Sequence, residues 1–314
     1  MAVSSREIDL FERFRPRLEA IAYRLLGSAG DAEDAVQDTF LRWQAARREH
    51  IEVPEAWLTK ALTNVCLNQL TSARARRETY VGQWLPEPVL AGDRMLGPAE
   101  TAEQRESVSI AVLTLMERLS PNERAVYVLR EAFGYSHAEI AVLLDLSEAN
   151  CQQVYHRAKQ HVATDRAHVR ADAAAARKIV EEFLAATLSG DVEPLLKLLT
   201  DDAVSIADGG GHVPARTTPL IGALGIARLL RKFVKPEVFG RFITGDSYAM
   251  HAAEVNGGPA VLVAVDDRIV SVISLEVDGD HIAGLLIQAN PEKLARFNES
   301  WAAEERGEPL ARDW

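Results

Sequence analysis

Apolar residues at Ile140, Ala141 and Leu144 recur at helical spacing, stop at Asp145-Leu146-Ser147, and resume at Cys151, Tyr155 and Ala158. The pattern predicts two short helices joined by a tight turn. Ser136 with Glu139 three residues on has the form of a capping box, and Ser147 can cap the second helix from Glu148. Gln152, Gln153, His156, Arg157 and Lys159 fall away from the apolar stripe. Upstream, "LSPNERAVYVLREAFGYS" predicts another helix, with Ser120 as cap, Pro121 in the first turn and Glu123 three residues after the cap. These helices make one compact unit over residues 105–168.

The N-terminal part is helical too. In "GSAGDAEDAVQDTFLRW" a helix begins near Ser28, and Val36, Phe40 and Trp43 form its core face. Asp31, Asp34 and Asp38 repeat at intervals of 3 and 4 on nearly the opposite face. Attraction of acids to a helix N-terminus accounts for the first two and poorly for Asp38, two turns in. After a polar loop, a helix starts at Pro54 with Trp57, Leu58, Ala61, Leu62, Val65 and Leu70 inward. Lys60, Thr63, Asn64 and Asn68 are predicted on its outer side, and it ends in Arg74, Arg76 and Arg77. This first domain covers residues 1–80. Residues 81–104 form a Pro/Gly-rich connector, "WLPEP" included, in which Trp84 and Leu85 would be exposed unless something covers them.

From residue 172 the pattern changes. "DAAAARKIVEEFLAATLSGDVEPLLKLLTDDAVSIADGGGHV" reads as a helix, a turn, a second helix and a strand running into glycines. "GALGIARLLRKFVK" follows as a helix, and "PAVLVAV", "RIVSVISLEV" and "HIAGLLIQA" as strands. Helices followed by hairpins such as "EVDGDHI" predict an α+β domain over residues 172–314. In "QANPEKLARF", Asn290 and Pro291 have the form of a helix cap and first-turn residue, for a helix reaching about Trp301.

Composition narrows the chemistry. At 314 residues with 47% apolar content, several packed domains are expected. No apolar run approaches membrane-spanning length and the N-terminus lacks a signal-peptide pattern, so a cytoplasmic protein without membrane contact is expected. The 2 cysteines, Cys66 and Cys151, lack metal-ligand spacing and read as reduced core residues. Neither a metal nor another cofactor is expected. Asp208, His212, Asp246 and His251 could serve as general acids or bases by residue type, but no pair has a spacing that specifies a reaction. No enzymatic activity is therefore expected.

Polar residues on the outer face of residues 148–160 suit a major groove, yet also suit any αα-hairpin with a polar surface. The charge is informative here. Net charge is −11 overall, about −3 for residues 1–170 and −8 for the remainder. Duplex binding by counterion release normally goes with a basic excess. A larger partner sharing the work on DNA is one reading; a self-contained DNA-binding regulator sensing a small molecule is the alternative.

"DAEDAVQDTFLRW" with "WLTKALTNVCLNQLTSARARR" resembles region 2 of the extracytoplasmic-function (ECF) sigma factors of bacterial RNA polymerase. "LSPNERAVYVLREAFGYSHAEIAVLLDLSEANCQQVYHRAKQ" resembles their region 4. The resemblance implies a sigma factor directing initiation at promoters, with two all-α domains and partners in core polymerase (β′ clamp helices and β flap) and promoter DNA. It implies polymerase docking through Asp31, Asp34, Gln37 and Asp38. It implies −10 contacts through Arg47 and Arg48, in the loop that captures a flipped base, and through Asn64, Asn68, Arg74, Arg76 and Arg77. Gln152, Gln153, His156, Arg157 and Lys159 would read the −35 element. The chain departs from the family in carrying Val154 and Gln152 where cations are frequent.

The last domain resembles the SnoaL-like, nuclear-transport-factor-2-like cone. "WLPEP", "DGGGHV" and "NPEKL" are similar to motifs of the sigma-factor subgroup fused to such a domain. That implies regulatory contacts between the connector and the C-terminal domain through Trp84, Leu85 and Pro86, Asp208, Gly209, Gly210 and His212, and Asn290, Pro291, Lys293 and Leu294.

Overall fold

The structure is a computed structural model that describes residues 5–46, 51–77, 80–97, 107–163, 173–233, 245–304 and 307–312. The chain divides into two compact units, one of residues 1–79 and 92–166, the other of residues 80–91 and 167–314.

The first unit is helical. α1 (Ser5–Leu26), α2 (Ala29–Ala45) and α3 (Pro54–Arg77) pack on one another. α2 begins where the sequence predicts, with Ser28 Oγ accepting from Asp31 N. Its inward residues Val36 and Trp43 are buried, and Phe40 lies against Phe11 with ring centroids 4.8 Å apart. The remaining α-helices among the described residues of this unit are α4 (Ile110–Met116), α5 (Pro121–Glu131), α6 (His137–Leu144) and α7 (Glu148–Ala163). Both predicted capping boxes form, at Ser120/Glu123 and Ser136/Glu139, and Ser147 Oγ accepts from Asn150 N. Asp145 ends α6 in the left-handed region (φ 54°), where short polar side chains are tolerated. α3 and α1 also pack against α5, and α3 against α6.

Two buried arginines tie this unit together. Arg24, near the end of α1, donates to Ser107 Oγ at 2.9 Å and to the carbonyls of Ala20, Met95 and Leu96. Arg124 in α5 donates to the Arg24 carbonyl at 3.3 Å and pairs with Glu117. Burial lowers both guanidinium pKa values, to about 10 for Arg24 and about 9 for Arg124. Residues 94–96, a 3-10 turn, are thereby held by α1. Gly97 (φ 67°) sits so close that a Cβ would meet Ala20 Cβ at 2.6 Å.

The second unit opens with α8 (Ala173–Leu188) and α9 (Val192–Leu198). A seven-stranded sheet follows, in the order β2-β1-β6-β5-β4-β3-β7. The strands are β1 (Leu199–Asp208), β2 (Leu220–Ile221), β3 (Tyr248–Val255), β4 (Gly258–Val265), β5 (Arg268–Asp278), β6 (His281–Gln288) and β7 (Ala311–Arg312). β1 pairs with β6 in parallel and the other pairings are antiparallel. Phe183, Leu195, Val261, Val263 and Leu275 build a core under α8, α9 and α10 (Ala223–Phe233). A second core, with Leu262, Phe297 and Trp301, lies where α11 (Ala295–Ala303) covers the other sheet face. Both faces of β4 are buried, which explains why "PAVLVAV" is continuously apolar rather than alternating.

Three strands are additions to the sequence reading: β2, β3 and β7. β3, "YAMHAAEV", has few strand-forming residues, and its pairing with β4 over the whole length supplies what propensity does not. Asn256-Gly257 at its end, both at positive φ, is the hairpin signal that marks it. The expected helix start at Asn290 is corrected. Residues 291–294 form a turn that Asn290 opens, its Oδ1 accepting from Glu292 N at 3.0 Å and its carbonyl from Leu294 N at 3.1 Å, and α11 begins only at Ala295, while Asn290 Nδ2 is left to donate to Tyr80.

Residues 80–91 are an element of this second unit. Val89 accepts from Asn256 N at 3.0 Å and donates to Asn256 Oδ1 at 2.9 Å, while Ala91 donates to the Glu254 carbonyl. Leu90 joins the second core, and Leu85 is 0% exposed. Leu85→Ala should therefore cost about 2–5 kcal/mol in urea denaturation of the full chain. A spacer lying free of the fold would give no change.

Candidate functional site

Three surfaces carry the sequence-predicted residues. On α2, Asp31, Asp34, Gln37 and Asp38 are all exposed, on the face away from Val36 and Trp43. Leu41, one turn beyond Gln37, is exposed on the same side. This face combines anionic and apolar groups and can dock on a basic, partly apolar partner.

α7 presents the second surface. Cys151, Val154, Ala158 and Val162 are buried, and Gln152, Gln153, His156, Arg157 and Lys159 are exposed. Val154 therefore belongs to the packing of the helix, and its lack of charge removes no contact from the outer face. Tyr155 bonds Glu131 of α5, which fixes the roll of α7; burial, reinforced by that carboxylate, raises its phenol to about 12. His156 and Gln160 are 3.1 Å apart at their side-chain nitrogens. The amides suit base edges, and the cations suit phosphates.

The third surface, on α3, departs from expectation. Asn68 is exposed and Asn64 half-buried, but Thr63, expected outside, is fully buried, its hydroxyl donating to the Thr59 carbonyl. Lys60 is ion-paired to Asp145 at 2.6 Å. Arg47 and Arg48, and the side chains of Arg74, Arg76 and Arg77, lie outside the described residues.

In the second unit the three short motifs converge. Asp208 ends β1 with its carboxylate fully buried, 0% exposed. Lys293 Nζ pairs with its Oδ2 at 2.7 Å and also donates to the Leu85 carbonyl at 2.6 Å. Leu85 N donates to Oδ2 at 2.9 Å, and the Tyr80 hydroxyl and Gly210 N donate to Oδ1. Burial and the Asp208 carboxylate raise the Tyr80 pKa above the ordinary phenol range. Asn290 Nδ2 donates to that hydroxyl at 2.9 Å, and Gln288 Nε2 to the Leu85 and Pro86 carbonyls. The Lys293 ammonium also lies 4.1 Å from the Trp84 ring centroid and 4.9 Å from that of Tyr80. Gly210 (φ 61°) passes so near Asn290 that a Cβ would meet its amide at 2.3 Å.

Of the motif residues, Trp84, Leu85, Pro86, Asp208, Gly210, Asn290 and Lys293 take part in this clamp. Gly209 contributes a turn carbonyl that accepts from His212 N and Val213 N, and Leu294 is buried beneath it in the second core. His212 is half-exposed and faces Glu292 at 3.5 Å. Pro291 is half-buried in the turn. Sequence reading missed Tyr80, Gln288 and Asn256. Tyr80 and Gln288 flank motifs that were quoted, and Asn256 sits in the unread hairpin signal.

The acid–base candidates have separate surroundings. Asp208 is consumed by the clamp, Asp246 lies in an exposed turn, and His251 packs edge-on against Trp301 with centroids 5.2 Å apart. Ser247, His251, Asp266, Asp267 and Arg312 line a pocket of about 250 Å³.

Lys293→Met would leave a buried carboxylate without its counter-ion and should cost about 3–5 kcal/mol. Asp208→Asn in the same chain should recover part of that loss. Urea denaturation of the single and double variants measures both; a double variant no better than Lys293→Met would show that the pair is not the source of the cost.

Comparison with known proteins agrees with this assembly. The Sigma-70 region 2 model matches residues 10–76 and the Sigma-70 region 4 model residues 109–162. The chain is 33% identical to the ECF RNA polymerase sigma factor SigJ of Mycobacterium tuberculosis over 98% of both chains. It is 30% identical to the probable ECF RNA polymerase sigma factor SigI of the same species, over 89% of this chain and 92% of that one. The crystal structure of SigJ superposes with a TM-score of 0.71 at 30% identity, covering 92% of this chain and 98% of that one. With helical regions 2 and 4, an α+β unit behind them and this likeness along nearly its whole length, the chain belongs to the ECF sigma factors, which bind core RNA polymerase and direct it to promoters.

Proposed function

We propose that the chain docks on the β′ clamp helices of core polymerase through Asp31, Asp34, Gln37 and Asp38, and that the helices of residues 110–163 engage the β flap. The continuous exposed acidic face of α2 supports the first contact. Arg47, Arg48, Asn64, Asn68, Arg74, Arg76 and Arg77 handle the melted −10 strand. Gln152, Gln153 and His156 read the −35 element, while Arg157 and Lys159 hold phosphates, as the split between buried and exposed positions of α7 supports. The complex works in the cytoplasm; no helix among the described residues is long and apolar enough to cross a membrane.

The C-terminal unit regulates this activity by holding the connector between regions 2 and 4. The observation that carries this reading is the convergence of "WLPEP", "DGGGHV" and "NPEKL" on the buried Asp208–Lys293 pair. A connector captured along residues 80–91 cannot lengthen freely, so the reach between the two DNA-reading regions depends on the clamp.

Asp34→Lys with Asp38→Lys should abolish capture by core polymerase without loss of thermal stability, since both side chains are exposed; undiminished capture would remove α2 from the docking surface. Gln153→Ala should relax base preference at one −35 position by about 1–3 kcal/mol in a transcribed promoter library, and Arg157→Ala should weaken all promoters alike. The clamp is tested by Asn290→Ala, whose transcription profile across that library should shift; an unchanged profile would leave the clamp a purely structural element.

A further inference from the structure

One residue of the α3 face, Lys60, is engaged by the chain's own helix-turn-helix. Lys60, Asn64 and Asn68 follow one another at intervals of four, so they form a single stripe on α3. Asn64 and Asn68 are polar groups without charge. Lys60 gives the stripe an ammonium suited to a phosphate.

That ammonium is already in use. It binds Asp145 Oδ1 at 2.6 Å and the Val142 carbonyl at 3.0 Å, at the end of α6. Asp145 holds the left-handed position that ends α6 and opens the turn into α7. One residue earlier on α3, Thr59 Oγ1 lies 3.3 Å from the Tyr135 hydroxyl. Arg17 of α1 stacks over Phe133 and Tyr135 at 5.5 and 5.3 Å, steadying the same loop. A carboxylate fixed on Lys60 at this distance stands where a phosphate oxygen would stand. The ion pair is open to water, with Lys60 36% and Asp145 75% exposed, so a nucleic-acid strand can reach and displace it.

From this geometry we infer that Lys60 is a phosphate contact of the promoter strand, and that Asp145 occupies it as an internal phosphate mimic in the polymerase-free protein. The inference rests on the reading of α3 as the −10 surface. Engagement of the strand then exchanges one anion for another on Lys60.

The test uses the full chain and a fluorescent mixed-sequence single strand, titrated across salt concentration. Loss of one phosphate contact in Lys60→Ala should lower the slope of log affinity against log salt by about 0.7. Asp145→Asn keeps a side chain tolerated at φ 54° while removing the mimic's charge. It should tighten binding by about 1.5- to 5-fold, the range for an exposed pair, and this gain should vanish in the Lys60→Ala background. Asp145→Gly, suited to the same backbone, should behave like Asp145→Asn. An unchanged slope in Lys60→Ala together with unchanged affinity in Asn68→Ala would overturn the α3 reading and the inference with it. A reduced slope in Lys60→Ala without tighter binding by either Asp145 variant would overturn the masking and leave the α3 reading standing.

Discussion

A carboxylate with no exposure to water must be met by charge and by donors, or it destabilises the fold that contains it. Asp208 is met by an ammonium, a phenol and backbone N–H groups, drawn from three stretches of chain. Lys293 and Asn290 come from the turn before α11, Gly210 from the glycine loop, and Tyr80 and Leu85 from the connector. Satisfying one buried charge thus fixes the course of three segments that have no regular structure of their own. The connector is ordered because its backbone completes the coordination of that charge, and its apolar residues then fill space against the outer sheet face.

A similar arrangement holds the helical unit. Arg24 gathers carbonyls from residues 95 and 96 and the hydroxyl of Ser107, and its own carbonyl receives Arg124. Buried guanidinium groups are expensive unless their donors find acceptors, and here several acceptors lie on segments distant in sequence. In each unit a long-range polar centre governs how the connecting segments run, while the apolar cores govern the helices and strands themselves. The sigma factor's connector is divided between these centres: residues 80–91 belong to one unit and residues 94–97 to the other.

The surfaces proposed to meet partners are of another kind. α2 and α7 expose their candidate residues on helices whose opposite faces are packed. α3 shares its outer side with α6, and its Lys60 is paired within the chain. Exposed pairs of this sort hold weakly, which suits the exchange inferred for Lys60.

What the sequence determined by itself was local. Ser28, Ser120, Ser136 and Ser147 cap helices because a hydroxyl and the backbone N–H three residues on are always in reach. The helical and continuous apolar periods placed α2, α3, α5, α6, α7, α8, β4, β5 and β6, since burial follows directly from spacing. The exposed rows on α2 and α7 were legible for the same reason. The burial of Thr63, the bond from the Asn290 amide to Tyr80, and the inclusion of residues 80–91 in the C-terminal unit were decided by tertiary structure. So was β3, whose residues have little preference for a strand until β4 offers its edge. The Asn290–Tyr80 bond joins residues 210 positions apart, and no periodicity encodes which distant group will supply a hydrogen bond.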